Sequence, residues 1–471
     1  MLLIAPQDNA SACIRASRFA TGFAVYNNSR LRVAKRRQSR YLSAMEKLNT
    51  ALSTVLRRAR HYTRKMWVRV MLMGLLAVVA TGASQLVERY IPDTLAQSLT
   101  GGSADRLLQL IASAMLAVTI FSITVMVSVY QSSSTQWTPR VHRLIMTDRT
   151  TQNTMAVFIG AYVYALLGII LRELGVYVDD RAFVLFWMTV LVLVVIVVYL
   201  IRWVLHLQGF GQLLDTCRQV EEVTRSQLTD RMTRPCLGAR PLLGDLPDDT
   251  RPLPAWQSGY VQQIYPEALN AVAEEHDVRL YLTTDVGEYV FLNAPLMQVE
   301  GAGDALDWEQ FTKDVIDAVT LSDVREYEQD PRFGLLVLGE IASKALSPGV
   351  NDPGTAVDVI TRIGRILSVY RDETQAEPET LLAHLHVAPM TAKALLRDGF
   401  GTLARDGAGT LVVQETLQQT LGALMRHPDA GLCDAARALA KSELARALTQ
   451  IAFEPDRAQL IAAADPTVRP N

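Results

Sequence analysis

Cysteine is scarce. The four present, Cys13, Cys217, Cys236 and Cys433, stand far apart with no C-x-x-C or other ligand spacing, which argues against a disulfide framework and a zinc site. Neither sign of charge dominates: 46 Lys and Arg against 48 Asp and Glu leave a net charge of -2, with no basic excess to hold a nucleic acid. Histidine is sparse as well. His384 and His386, two apart in what reads as a helix or turn, should point to different faces and so make a poor metal pair. No G-x-S-x-G, H-E-x-x-H, phosphate-loop or dinucleotide fingerprint occurs, so no catalytic residue, cofactor or metal is assigned and an enzymatic reading has nothing to stand on. Charged residues make up only 20% of the chain while 49% is apolar, a balance too greasy for disorder. Part of the chain belongs in lipid.

A bilayer core ~30 Å thick takes roughly 20 apolar residues of helix. Four windows without a single Asp, Glu, Lys or Arg meet that need: 70–87, 107–130, 154–171 and 182–201. Trp67, Arg69, Tyr90, Tyr130, Tyr199, Arg202 and Trp203 at their edges suit the headgroup layer, since their polar tips reach water while their bodies stay in lipid. With the N-terminus inside, the inner flanks hold Lys47, Arg57, Arg58, Arg60, Arg64, Lys65, Arg140, Arg143, Arg149, Arg218 and Arg225. The outer loops hold only Arg89, Arg106, Arg172 and Arg181. Cations resist translocation, so both termini are expected in the cytoplasm of a cell whose inner membrane the helices cross.

Residues 1–44 are Arg-rich, acid-poor and lack an apolar run before a cleavage site, which excludes a secretory signal. A polybasic arm and a transit-like segment fit this composition; an upstream start before a working initiator at Met45 fits it better, because 45–69 already forms a basic amphipathic lead into the first span. The four-helix membrane domain is then 45–206.

From 207 the helical period continues through Phe210, Leu213, Leu214, Cys217 and Val220, so the fourth helix is expected to run on into the cytosol. Five prolines between Pro235 and Pro254 suggest an extended spacer, making 207–257 a helical extension plus linker. Runs such as 258–265, 278–282 and 289–292 read as strands, with a short helix at 267–275, and give a small β-rich domain over 258–305. Its Gly287 to Pro295 pattern is faintly similar to barrels that carry biotin or lipoate, but no lysine stands at the hairpin tip. The region 306–471 reads as helical almost throughout. Two of its helices should start alike, with Asp330 and Asp352 as N-caps before Pro331 and Pro353. The second should bury Ala356, Val359, Ile360, Ile363, Leu367 and Tyr370. The fold class is thus an α-helical four-span membrane domain followed by a cytosolic α+β region.

Two stretches are candidate sites. Between the two capped helices, Ser347, Pro348, Gly349, Val350, Asn351, Asp352, Pro353, Gly354 and Thr355 spell a tight helical-hairpin turn. The functional alternative has the N-H groups of Gly354 and Thr355 bind an anion or acidic partner, which Asp352 would oppose. In the second span, Thr124, Ser128, Gln131 and Thr135 fall on one helical face, and Ser132, Ser133, Ser134, Gln136 and Thr138 extend the polarity at its end. Such residues serve close helix packing or line a hydrated path. No carboxylate or lysine at mid-membrane supports a proton relay.

The stretches 131–140 (QSSSTQWTPR), 148–152, 158–164 (FIGAYVY), 258–261 (SGYV), 329–334 (QDPRFG) and 345–353 (ALSPGVNDP) resemble the bacterial membrane proteins grouped as domain of unknown function 2254. The resemblance covers most of the chain after about Met45 and implies a multi-pass inner-membrane protein with a cytosolic domain. It implies no activity. The expected partners are the lipid bilayer and further copies of the chain, because one four-helix unit this apolar has little polar surface for a pore of its own. The leading functional expectation is an oligomeric channel or transport-related protein with a cytosolic regulatory region. The alternative is a membrane-anchored binding or scaffold protein that senses a cytosolic ligand or partner.

Overall fold

The computed structural model describes parts of 68–79 and residues 101–136, 138–146, 148–174, 183–209, 211–303, 306–375 and 381–470. The basic segment 1–44, the proposed start at Met45 and most of the first expected span lie outside the described residues. Among the described residues three stretches are long and apolar enough to cross a membrane, Ser103–Ser133, Pro139–Glu173 and Leu185–Gly209. They contain helices α1 (Gly101–Gln136), α2 (Pro139–Met146), α3 (Arg149–Glu173) and α4 (Phe183–Gly209). The chain divides into two compact units, one made of the residues up to Ile123 with Arg149–Val204, the other of Thr124–Asp148 with everything from Leu205.

In the first unit α3 contributes much of the packing: Met155, Phe158, Ala161, Tyr164 and Ala165 are buried. Gly168 lets the Leu108 side chain come close enough that a Cβ would sit 3.0 Å from it. Two hydroxyls in this interior find partners locally. The Tyr164 and Thr189 hydroxyls lie 3.3 Å apart, and Thr189 donates back to the Leu185 carbonyl at 2.7 Å, the usual way a hydroxyl is satisfied in an apolar helix.

The second unit has two cores. The helical one is formed by α5 (Leu213–Thr233), α8 (Pro331–Ala345), α9 (Pro353–Leu367), α10 (Ala392–Asp406), α11 (Leu411–Leu424), α12 (Ala430–Gln450) and α13 (Glu454–Ala463), with Val141 and Ile145 of α2 built into it. The other lies under a five-stranded sheet of order β1-β8-β4-β6-β2 and a three-stranded sheet of order β5-β3-β7. These strands are β1 (Ala239–Pro241), β2 (Thr250–Pro254), β3 (Gly259–Ile264), β4 (Arg279–Leu282), β5 (Tyr289–Val290), β6 (Pro295–Glu300), β7 (Val319–Ser322) and β8 (Leu382–Val387). Helices α6 (Pro266–Glu275) and α7 (Trp308–Ile316) complete this part.

Several expectations are corrected. The fourth membrane helix does not run on unbroken: Gly211 takes φ 81° and α5 starts anew at Leu213, with Thr216 N bonded to the Gln212 carbonyl. The Pro-rich segment is no plain spacer, since β1 and β2 lie in it. Both are edge strands, the one place in a sheet where Pro241 and Pro252 cost no ladder bond, and Pro254 falls at a register shift. The C-terminal part is not all helical, because β7 and β8 interrupt it. His384 and His386 therefore lie on a strand and share a face. They do different work: His386 stacks on Tyr281 with ring centroids 4.5 Å apart, while His384 Nδ1 meets the Val278 carbonyl at 3.1 Å. The two capped helix starts stand as expected. Asp330 accepts from Phe333 N and Asp352 from Thr355 N, and the six named apolar residues of the second hairpin helix are buried.

Candidate functional site

Helix α2 packs into the helical core of the second unit. Its sequence PRVHRLIM puts Val141 and Ile145 one turn apart on one side and Arg140 and Arg143 on the other, so burying the apolar pair leaves the guanidiniums outward. Burying two such side chains is worth roughly 3–6 kcal/mol, which fixes this short helix to the helical core. At the corner between α1 and α2, Ser133 Oγ and His142 Nδ1 lie 2.7 Å apart, and the Tyr130 ring meets His142 edge-on at 6.2 Å. Ser133, expected at the polar mouth of the span, is thus turned inward and buried. Just beyond α2, Asp148 pairs with His206 at 3.0 Å.

Four of the six stretches that carried the family resemblance meet around α2. Arg140 is ion-paired with Glu340 of α8. Burial pushes the Glu340 carboxyl up against the opposing pull of Arg140. Its Oε2 and the nearby Tyr327 hydroxyl are both buried without a hydrogen bond partner, and burial drives the tyrosine well above its ordinary range. A cleft of about 190 Å³ is lined by Pro139, Arg140, Arg143, Tyr260, Asp323, Val324, Arg325 and Phe333. A smaller one of about 60 Å³ lies between Thr138, Ile341, Lys344, Ala345, Val350 and Asp352.

The candidate turn closes on itself. Asp352 N donates to the Ala345 carbonyl at 2.8 Å, and Val350 N and Asn351 N both donate to the Ser347 carbonyl. Ser347 Oγ donates to the Lys344 carbonyl, and Pro348 and Gly349 shape the bend between. Asn351, not a glycine, takes the left-handed φ of 52°, which Asn tolerates better than most residues. At the next helix, ahead of Pro353 and Gly354, the Thr355 N-H donates to Asp352 Oδ1 at 3.1 Å and its hydroxyl to Oδ2 at 2.5 Å. These bonds hold the Asp352 carboxyl below the usual range. The helix end is filled by its own cap, so it offers an incoming anion little.

The polar face of α1 is placed differently. Thr124, Ser128 and Gln131 are exposed on the chain's surface; Thr135 lies in the helix, and its side chain is outside the described set. Buried instead are Thr119 and Ser122, whose hydroxyls lack a hydrogen bond partner.

Sequence reasoning missed the ionic groups buried where the sheets meet the helices. Arg231 of α5 and Glu373 form a buried pair, Nη2 to Oε2 at 3.1 Å, and the same carboxylate accepts from Cys236 N at 3.1 Å and Met390 N at 2.6 Å. Burial pushes the Cys236 thiol up to about 12, which keeps it protonated and unreactive. Arg325 grips Asp330 with two bonds of 2.9 Å, and Arg332 reaches Asp398 at 2.7 Å. Burial nevertheless pushes Asp330 up to about 6 and raises Asp285. Gln329 holds a φ of 61° because its amide pairs with both the N-H and the carbonyl of Ile264 at 3.0 Å. Only Q-D-P-R-F-G hinted at this from the sequence, through its cap and not its charges. Among the described residues no group of His, Cys, Asp and Glu is arranged to hold a metal ion.

Three apolar helices joined to a mixed α/β region with a helical C-terminal part define a membrane protein with a large polar extension. The chain belongs to the predicted membrane protein family DUF2254, whose model matches residues 63–423. It is similar to an uncharacterized protein of Mycobacterium bovis and to one of Mycobacterium tuberculosis. Each is 26% identical over 395 residues, covering 78% of this chain and 72% of the relative. No solved structure matches.

Proposed function

We propose that the protein is a multi-pass protein of the bacterial inner membrane, with both termini in the cytoplasm, that assembles as a homo-oligomer around a polar path and passes a small solute under control of its cytosolic part. The observation that carries this reading is the exposure of Thr124, Ser128 and Gln131 on a helix apolar enough to cross the bilayer. Small polar side chains exposed on such a helix suit close packing against a second copy or contact with a water-filled path. The burial of Val141 and Ile145 supports the control element, because it joins the segment directly after α1 to the helical core.

The test uses the full chain reconstituted in liposomes, with potassium, chloride and small neutral solutes as probes. Flux above protein-free vesicles is expected, together with a loss of most of it in Thr124→Leu. In a background without the native cysteines, Ser128→Cys should cross-link between copies. Absence of flux for every probe, or unchanged flux in Thr124→Leu, overturns conduction and leaves the membrane-anchored binding protein as the surviving reading.

A further inference from the structure

The cleft beside α2 has an unusual lining. Three arginines, Arg140, Arg143 and Arg325, line a space of about 190 Å³, and Asp323 is the only carboxylate among the lining residues. Two of these cations are pre-set. Arg325 spends Nε and Nη2 on Asp330, at 2.9 Å each, and lies 5.1 Å over the Phe333 ring, so its plane is fixed while Nη1 is not used by that pair. Arg140 is tethered through Nη1 to Glu340. Each pair leaves N-H groups that it does not use, and the planar donors of a guanidinium suit a tetrahedral oxyanion. The volume is below the ~300 Å³ where pockets for drug-sized ligands begin, which suits a single small anionic group.

The surroundings add an apolar side. Tyr260, which lines the cleft, meets the Tyr289 ring at 5.0 Å, and Tyr289 meets Phe291 at 5.1 Å. Phe291 is 69% and Leu292 55% exposed, so a string of rings leads from the cations to an uncovered greasy tip. Aromatic and basic side chains side by side are the chemistry of the headgroup layer. Chain connectivity agrees, for Arg140 and Arg143 follow within ten residues of Ser133, where the apolar stretch of α1 ends.

We propose that this cleft binds the phosphate of an anionic phospholipid, with Arg143, Arg140 and Arg325 on the phosphate oxygens and the Tyr260, Tyr289 and Phe291 rings against the apolar part of the same molecule. A free phosphate ion shares the first half of this chemistry but not the second. Short-chain phosphatidylglycerol is therefore titrated into the full chain in neutral detergent, with thermal unfolding as the readout. Phosphatidylcholine of equal chain length and inorganic phosphate serve as the other arms.

Phosphatidylglycerol should raise the unfolding temperature saturably, and Arg143→Ala should shift the half-effect concentration upward by about fivefold, the weight of one interfacial Arg. Asp323→Asn, which removes the opposing charge, should move it downward. The proposal is overturned if phosphatidylcholine stabilises as well as phosphatidylglycerol or if the Arg143→Ala midpoint does not move. It is equally overturned if inorganic phosphate alone matches the lipid, which would make the ligand a soluble ion.

Discussion

Replacing Ile145 by alanine asks whether α2 belongs to the helical core or merely hangs from the end of a membrane helix. The side chain is 2% exposed and lies in one core with residues such as Cys217, Val220 and Ile341. Removing its three outer carbons forfeits their transfer free energy and leaves a void that the rigid helices around it fill only in part, so the loss falls in the range of about 2–5 kcal/mol. For a domain of this size a kcal/mol moves the midpoint by roughly 2–4 °C, so Ile145→Ala should melt about 4–20 °C earlier than the wild type. The measurement is thermal unfolding of the full chain in detergent, followed by near-ultraviolet circular dichroism. Met146→Ala is the control, since Met146 is exposed on the same helix and should shift the midpoint little. An Ile145→Ala protein that melts with the Met146→Ala control would refute the packing argument and, with it, the proposed mechanical link between α1 and the helical core.

Two further outcomes follow from the buried ionic groups. Glu373→Ala strands the Arg231 cation and the N-H groups of Cys236 and Met390, and should destabilise by about 3–5 kcal/mol. Arg231→Met/Glu373→Leu, which removes both charges, should cost less in denaturant unfolding than Glu373→Ala alone. Asp330, with its folded-state pKa raised from 3.8 to about 6, favours folding most below about pH 4, and that contribution is lost as pH rises through 6. The full swing is on the order of 3 kcal/mol, so the stability gap between wild type and Asp330→Asn should narrow from pH 4 to pH 7.5 in guanidinium titrations. A gap that widens instead would reverse the assigned sign.

What could be read from the sequence was local. Asp330 and Asp352 cap their helices because an acceptor, a proline and the first turn lie within four residues. The apolar windows at 107–130 and 154–171, and residues 183–201 of the last one, appear within helices because lipid leaves a chain no other way to satisfy its backbone. What could not be read depends on partners far along the chain. Nothing near Ala239 or His386 says that they belong to paired strands, since β1 and β8 are some 140 residues apart. Nothing near Glu340 announces its partner, since packing brings Arg140 to it across 200 positions. Arg362 and Arg365 likewise share Glu221 of α5, at 2.7 and 2.8 Å. The candidate turn was legible as a turn, and the α2 cleft was not, because its arginines come from segments whose proximity only the fold creates.

The seat of β8, between β1 and β4, has a consequence for biosynthesis. Both neighbours pair with it in parallel, and it leaves the ribosome about a hundred residues after β4. At ~5–20 residues per second the slot between β1 and β4 stands open for roughly 5–20 s, with the raw edge of β4 offered to any passing strand. A nascent chain halted short of Leu382 would hold that edge bare, and is where aggregation or chaperone capture should concentrate.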